Sequence, residues 1–440
     1  MHFFRRHGFI IVTVLAVLGV YGLEAHARRE VILTPASQSD QAAYLAYAKQ
    51  MYDSGYTVVG RRNRMPVFPF LLSLIYRPGL SETQFLTRAQ SFNINLSILL
   101  LLLLFLIFQR FFPPFYALTL LVMTAFGVFV YRSGIVQTEV LFYFLSFCSF
   151  LLLVRMLIAP RWWLAILSGA AIGIAHLTKA SVLPALGLWA VVFLGQSFWE
   201  YRVRPDTRLL EALRRFGLLL LVIGTFAAVI FPYIRTSKQI FGHYFYNVNS
   251  TFYMWCDSWP EAVAFTKAYD NSRGGHDFPP DQVPSAVKYW REHSAAQIVY
   301  RLGHGLKTLA TRSAKATGYY KFVLLFVLAA TALAWQRHQL ARRLIAEKPF
   351  AATFCFLFFF SYVLLYAWYD AIVSDSRFIL SLFLPVVFVA STLVWGLGKD
   401  RTFAIAERRI SFMKLFAGCL ICLALTDVVY NALRICRLMT

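Results

Sequence analysis

Long apolar stretches, separated by short polar connections, run through most of the 440-residue chain. A helix needs roughly 17 to 25 mostly apolar residues to cross a bilayer, and the stretches lack the alternation of a membrane β-strand. The pattern predicts an all-α polytopic membrane protein with about eleven transmembrane helices. The predicted spans are 8–23, 91–108, 115–131, 138–158, 162–178, 180–198, 216–234, 319–336, 350–369, 377–397 and 412–431.

Lysine and arginine in the short connections set the predicted orientation. Cations concentrate in 199–215, 337–348 and 399–409, and such loops stay in the cytoplasm. With a cytoplasmic N-terminus, the alternation leaves two long segments, 24–90 and 235–318, on the outer face.

This topology divides the chain into three parts. They are an N-terminal membrane module, 1–234, which includes the first outer loop, then the second outer loop, and C-terminal membrane helices, 319–440. Ala25 and Ala27 fit a signal-peptidase site. We expect the first span to be retained, because the rest of the chain already has many spans.

The composition agrees with a membrane protein. Hydrophobic residues make up 59% of the chain and charged residues 15%, whereas a soluble domain has about 25% charged residues. These values exclude a soluble enzyme, a disordered chain and a disulfide-built secreted domain. The net charge of +22 fits cationic loops beside anionic lipids, and not a nucleic-acid partner. Part of this excess of positive charge is available to hold a phosphorylated substrate.

Helices are also predicted within the outer loops. In the first loop, a helix from Asp40 to Ser54 places Tyr44, a candidate substrate-binding residue, on the same face as Asp40. The apolar run 67–76 is too short to span a bilayer and predicts an interfacial or re-entrant helix. In the second loop, 283–315 has an amphipathic, basic helical pattern.

Two acidic residues stand at helix starts on the predicted outer face. Asp40 follows the first span, and Glu139 opens the fourth. A carboxylate beside an apolar surface is suited to act as a general base on a hydroxyl, and one at the membrane edge needs a partner. The alternatives are that Asp40 only caps its helix and that Glu139 is a simple helix-start acid.

Cations on the same predicted face are candidates for substrate binding. Lys179 ends one span, and Arg377 begins another where the positive-inside rule does not place a cation. Arg61, Arg62 and Arg64 precede the apolar run of the first loop. Arginine grips phosphate oxygens through two parallel hydrogen bonds. The alternatives are a snorkelling lysine, a surface ion pair with a neighbouring aspartate, and simple attraction to lipid headgroups.

Asp40, Glu139, Lys179 and Arg377 project to one face under this topology. Two acids and two cations around a cavity at the membrane edge suit an enzyme that transfers a group from a phosphate-linked lipid. The cations stabilise the leaving phosphate, and an acid activates the incoming hydroxyl.

Short motifs occur in an order that points to a known superfamily. They are SDQAAY at 39–44, RMPVFPFLL at 64–72, QTEVL at 137–141, HLTK at 176–179, FPYIR at 231–235, FG at 241–242, YWREH at 289–293 and RFILSLFLP at 377–385. Over most of 1–395 the chain resembles the GT-C glycosyltransferases, especially the protein O-mannosyltransferases, aminoarabinose transferases and rhizobial lipopolysaccharide galacturonosyltransferases. Ser294 and Phe378 stand where the family often has proline and tyrosine.

The resemblance implies an inverting transfer of a sugar from a polyprenyl-phosphate donor to an acceptor hydroxyl. Asp40 is then the general base, and Arg377, Lys179 and Arg64 hold the phosphate. Glu139 orients the acceptor or a metal. Some relatives bind a divalent cation and others need none, so the cofactor stays open.

We expect a multi-pass protein of the bacterial inner membrane whose active site faces the periplasm. The alternative is the endoplasmic reticulum of a eukaryotic host, where the active site faces the lumen. The expected partners are the lipid-linked donor, a glycolipid, lipopolysaccharide or protein acceptor, and membrane lipids, with no nucleic acid.

Three other classes of protein remain open. A transporter or flippase for a lipid-linked saccharide usually has polar groups at the bilayer midplane and internal repeats, but these spans are nearly free of ionisable residues and show no repeat. A polysaccharide polymerase or ligase uses a diphosphate-linked donor. The third class is a non-catalytic assembly subunit.

Overall fold

The computed structural model describes residues 2–32, 34–37, 40–57, 64–203, 208–242, 244–245, 247–271, 279, 281–316, 319–405 and 408–439. These residues form helices and one small β-hairpin. The helices up to the second predicted outer loop are α1 (His2–Val31), α2 (Gln41–Asp53), α3 (Val67–Ser73), α4 (Glu82–Phe108), α5 (Pro114–Gly127), α6 (Glu139–Ile158), α7 (Trp162–Thr178), α8 (Leu183–Val203) and α9 (Arg208–Phe241).

The described residues after α9 are also mainly helical. The helices that follow are α10 (Val248–Thr251), α11 (Trp259–Asn271), α12 (Ala286–Glu292), α13 (Ala295–Lys315), α14 (Leu324–Gln336), α15 (His338–Ala346), α16 (Pro349–Tyr369), α17 (Ser376–Leu380), α18 (Phe383–Gly398) and α19 (Phe412–Met439). Single turns of 3₁₀-helix occur at Phe129–Tyr131, Ala180–Val182 and Tyr253–Trp255, and a π-helical turn, Tyr319–Val323, precedes α14.

The helical multi-pass membrane architecture is confirmed. Within the described ranges, nine helical segments are long and apolar enough to cross a membrane. The helices α7 and α18 are apolar but shorter, with 17 and 16 residues. Every predicted span therefore coincides with an apolar helix, and nine of the helical segments have 18 or more residues.

The observed helices differ from the predicted spans at their ends. The first helix continues to Val31, and α4 begins at Glu82, where Ser81 and Gln84 form a capping box. The predicted span 377–397 is divided into the short helix α17 and the helix α18. A helix ends where its backbone groups find other partners, which need not be where the apolar run ends.

A two-stranded antiparallel hairpin is an exception to the all-α prediction. Strands β1 (Thr402–Ile405) and β2 (Arg408–Ser411) pair with Thr402 opposite Ser411. They lie in the cationic connection between α18 and α19. The connection has no apolar alternation that would have predicted strands.

Glycines allow α7 to pack closely against α9. A Cβ atom at Gly169 would lie 2.4 Å from the carbonyl oxygen of Val222, and one at Gly173 would lie 2.9 Å from the side chain of Val229. The two glycines form the small-xxx-small spacing common between membrane helices. This packing fixes the end of α7, where Lys179 follows.

Hydrogen bonds from one buried glutamine join α2 to the membrane helices. Gln41 is fully buried, and its Oε1 accepts a 2.9 Å hydrogen bond from the backbone N–H of Val136, just before α6. Its Nε2 donates to the carbonyl oxygen of Pro35. Tyr44 of α2 packs edge-on against Phe68 of α3, with ring centroids 5.4 Å apart. These contacts bring the start of α2 beside the start of α6.

A buried arginine joins the second loop to α16. Arg301 of α13 donates to the carbonyl oxygens of Trp368 at 3.2 Å and Met254 at 3.3 Å, and its Nη1 lies 3.3 Å from Oδ1 of Asp257. The indole N–H of Trp368 also donates to the carbonyl oxygen of Met254, at 2.7 Å. Met254 is thereby held against α16.

Candidate functional site

A cavity of about 490 Å³ lies where the starts of α2 and α6, the junction of α7 and α8, the loop around α10 and the end of α16 meet. Six of the seven predicted site residues line it; Arg61 lies outside the described residues. The six are Asp40, Tyr44, Arg64, Glu139, Lys179 and Arg377.

The carboxylate of Asp40 binds two arginines across the cavity. Asp40 stands directly before α2, yet its side chain makes no capping hydrogen bond. Its Oδ1 accepts from Arg64 at 2.5 Å, and its Oδ2 accepts from Arg377 at 3.1 Å. The side chain is 31% exposed, so it remains accessible from the cavity. The interpretation of Asp40 as only a helix cap is therefore wrong.

Glu139 is the buried carboxylate of the site. Its side chain is only 3% exposed, and its Oε1 lies 3.4 Å from the Nζ of Lys179 and 3.8 Å from Nη1 of Arg377. Removing a charge from water is tolerated when opposite charges surround it. The other oxygen, Oε2, is buried and has no hydrogen-bond partner among the described residues. Glu139 therefore has one oxygen free to accept a hydrogen bond.

Lys179 occupies the junction of two helices. It is the single extended residue between α7 and the 3₁₀ turn Ala180–Val182. Its Nζ lies 5.5 Å from the ring centroid of Phe142 and 5.1 Å from that of Phe378. Burial lowers the pKa of Lys179 below its usual value, although Glu139 favours the charged form. Lys179 thus points into the protein and is not a snorkelling lysine.

Arg377 bridges the two acids of the site. Its Nη1 contacts both Asp40 and Glu139, and its Nε lies 3.4 Å from Oδ2 of Asp375. Although burial disfavours its charged form, Glu139, Asp40 and Asp375 together raise the pKa of Arg377 above its usual value. The predicted surface pair with Asp375 is present, but it is one of three ionic contacts.

Tyr44 and Arg64 complete the side of the cavity formed by α2. Tyr44 is buried, and the guanidinium carbon of Arg64 lies 5.5 Å from its ring centroid. Burial raises the pKa of the Tyr44 hydroxyl, so it stays protonated. The ring therefore supports the arginine that binds Asp40.

Some residues that shape the site were not predicted from the sequence. Arg132 lies 3.6 Å from Asp375, which in turn accepts a 2.9 Å hydrogen bond from the backbone N–H of Arg377. Tyr143 donates to the carbonyl oxygen of Arg377 at 3.0 Å. Tyr143 lies inside an apolar stretch, and Arg132 lies in a short loop, so neither had a sequence signal.

The lining residues have one net positive charge. Three cations, Arg64, Lys179 and Arg377, face two carboxylates, Asp40 and Glu139, in this part of the described structure. Such a cavity attracts a single anionic group beside an accessible carboxylate.

The described residues do not form a metal site by themselves. They contain no group of three or more His, Cys, Asp or Glu side chains that is suited to a metal. Hard cations such as Mg²⁺ and Ca²⁺ need several oxygen ligands, and the two carboxylates of the cavity are paired with arginine and lysine.

Comparisons with protein-family models, curated proteins and solved structures found no match to this chain. The GT-C resemblance therefore stays a prediction based on the motifs and the arrangement of the site.

Proposed function

We propose that this protein is a membrane glycosyltransferase that moves a sugar from a polyprenyl-phosphate donor to an acceptor hydroxyl. The observation that carries the proposal is the meeting of Asp40 and Glu139 with Arg64, Lys179 and Arg377 in one cavity. These residues come from distant parts of the chain, and each of the five lies in a separate motif.

The three cations support binding of the donor phosphate. Arg377 and Arg64 contact Asp40 at the cavity, and phosphate oxygens are ligands of the same kind as carboxylate oxygens. The polyprenyl chain needs an apolar path. The helices α8 and α16, which are candidate membrane spans, contribute Leu183, Pro184 and Leu365 to the lining.

Asp40 is the proposed general base. Its carboxylate takes the proton of the acceptor hydroxyl while the acceptor oxygen forms a bond to the anomeric carbon of the sugar. The bond between that carbon and the phosphate oxygen breaks, and the electron pair leaves with the polyprenyl phosphate. Attack opposite the leaving group inverts the anomeric centre. Arg377 and Lys179 stabilise the charge on the released phosphate.

Glu139 is the proposed partner of the acceptor. Its Oε2 is buried without a hydrogen-bond partner among the described residues. It is therefore able to accept a hydrogen bond from a second hydroxyl group of the acceptor substrate. We propose a glycolipid, a lipopolysaccharide or a protein as the acceptor, and the periplasmic face of a bacterial inner membrane as the location.

The test uses membranes that contain the full-length protein and a panel of labelled polyprenyl-phosphate sugars. We expect the label to leave the polyprenyl-phosphate donor and to appear on another molecule, and we expect Asp40→Asn to slow this transfer by about 10²- to 10⁴-fold, the usual contribution of a general base. Asp53→Asn is the matched control, because it makes the same change at the exposed far end of α2.

Three results would contradict the proposal. Normal transfer by Asp40→Asn means that Asp40 is not the base. No transfer from any monophosphate donor, with release from lipid-diphosphate sugars instead, indicates the polymerase or ligase alternative, and movement of intact donor across the bilayer indicates a flippase.

A further inference from the structure

The part of the cavity next to the ionic cluster is lined by neutral side chains. Asn247, Asn249, Tyr369 and His176 form much of it. Building on the proposed function, we propose that this part binds the glycosyl group of the donor, and that this group is uncharged, not a uronic acid or an aminosugar.

The asparagines form a fixed polar wall. Oδ1 of Asn247 accepts the backbone N–H of Asn249 at 3.1 Å, and Oδ1 of Asn249 accepts the hydroxyl hydrogen of Tyr369 at 3.1 Å. The amide nitrogen of Asn247 contacts the sulfur of Met65 at 3.5 Å, and a thioether is only a weak acceptor. The wall therefore retains hydrogen-bonding capacity for a ligand rich in hydroxyl groups.

Two buried polar atoms of the lining, Nδ1 of His176 and Oγ of Ser181, make no hydrogen bond of regular geometry with the described residues. The neighbouring polar groups are the backbone of Ala180 for His176 and the hydroxyl of Tyr366 for Ser181. Buried polar atoms are nearly always hydrogen-bonded in folded proteins. Sugar hydroxyls both donate and accept, so a bound sugar is able to satisfy both atoms.

The neutral wall lies directly beside the phosphate-binding cations. The ring of Tyr369 packs edge-on against Phe378, with centroids 5.7 Å apart. Phe378 itself lies 5.1 Å from the Nζ of Lys179 and 5.5 Å from the guanidinium carbon of Arg377. A group bonded to a phosphate on these cations therefore meets Tyr369 and Phe378 first. Aromatic faces suit the apolar C–H face of a sugar ring.

The charge balance indicates that this group is neutral. The three cations and two carboxylates of the lining leave one positive charge, which one phosphodiester neutralises. A uronic acid adds a second negative charge, and an aminosugar adds a positive one; the described lining has no further charged side chain to pair with either. An unpaired charge in a buried site is strongly disfavoured.

The experiment measures equilibrium binding to the purified full-length protein, so no acceptor is needed. The probes are three polyprenyl phosphates with the same lipid, which carry a neutral hexosyl, a hexuronosyl or an aminopentosyl group. We expect the hexosyl donor to bind at least about tenfold more tightly than either charged donor. In the variant Asn249→Asp, the difference in affinity between the hexosyl donor and the aminopentosyl donor should become smaller. Gln282→Glu is the control, because it makes the same amide-to-acid change at an exposed position.

The outcomes are distinguishable. Equal or tighter binding of a charged donor overturns the inference and leaves the proposed function intact. An unchanged preference in Asn249→Asp means that the neutral wall does not contact the sugar, which also overturns the inference. If none of the three donors binds, the proposed function fails together with the inference.

Discussion

Two of the ionic clusters that join helices in the described structure differ in whether a cavity lies beside them. The cavity cluster consists of Asp40, Glu139, Arg64, Lys179 and Arg377. The α1–α19 cluster consists of Arg28, Tyr131, Lys321, Asp427 and Asn431, and none of these residues lines the cavity.

The α1–α19 cluster is a set of direct contacts between elements. The Nζ of Lys321 pairs with Oδ1 of Asp427. The Nδ2 of Asn431 donates to the hydroxyl of Tyr131 at 3.0 Å, and the guanidinium carbon of Arg28 lies 4.8 Å from the Tyr131 ring centroid. These contacts connect α1, the 3₁₀ turn before α6, the π-helical turn before α14, and α19.

The comparison shows that ionic contacts between helices do not by themselves indicate a binding site. Each cluster, as listed, has one cation more than acids, but the cavity cluster also has an open volume beside its cations, so it is suited to bind an anion. The α1–α19 cluster connects helices that are distant in sequence. We therefore expect substitutions in the first to change transfer and substitutions in the second to change stability.

The largest effect expected from this comparison is a decrease in the rate of sugar transfer in the variant Arg377→Lys. The variant keeps a cation beside Asp40 and Glu139 but loses the planar fork that binds phosphate oxygens. Transfer should fall by about 10²-fold while the protein stays folded. The measurement is release of labelled sugar per folded protein. Lys321→Arg, an exchange of cations in the α1–α19 cluster, is the control and should transfer sugar at the normal rate. An equal loss of transfer in both variants would contradict the functional difference between the two clusters.

The second prediction concerns stability, in Asp427→Ala. This variant leaves Lys321 without its carboxylate, and because the Lys321 side chain is 19% exposed, the loss of this partly buried pair should cost about 1–3 kcal/mol. Thermal unfolding in detergent should shift to lower temperature, while transfer per folded molecule stays unchanged. The double variant Asp427→Ala/Lys321→Met should recover part of the loss, because it also removes the unpaired charge. Loss of transfer without loss of stability would place Asp427 in the binding machinery.

The third prediction concerns a position that should affect both properties. A Cβ atom at Gly305 of α13 would lie 1.9 Å from the carbonyl oxygen of Ala367 in α16, and α16 ends at Tyr369 in the cavity wall. Gly305→Ala should cost about 1–3 kcal/mol and also reduce transfer. Gly303→Ala is the control, because no atom lies within 4 Å of its Cβ; it should gain about 0.5–1 kcal/mol from helix propensity. If both variants behave alike, α13 and α16 do not approach so closely.

Apolar periodicity and charge were sufficient to predict the membrane helices and the convergence of Asp40, Glu139, Lys179 and Arg377. A continuous apolar run has one stable solution in lipid, a helix, and the orientation rule then brings helix ends to a common face. The neutral wall could not be predicted in this way. The sequence around Asn247, Asn249 and Tyr369 contains no motif that marks a binding site. Tertiary contacts bring these residues beside Phe378.

The smallest expected effect concerns pH and separates the cations of the cavity cluster from one another. Burial lowers the pKa of Lys179, so its ammonium loses a proton at a lower pH than an ordinary lysine does. As the pH rises through this lowered pKa, the cavity loses one positive charge, and donor affinity should fall by about three- to tenfold because Arg377 and Arg64 stay charged. Lys179→Arg keeps its charge throughout, so its affinity should remain flat between pH ~7 and ~10. The measurement is donor binding across this range for both proteins. An alkaline decrease of the same size in Lys179→Arg would assign the titration to another group, and a flat profile in the wild-type protein would mean that Lys179 does not bind the phosphate.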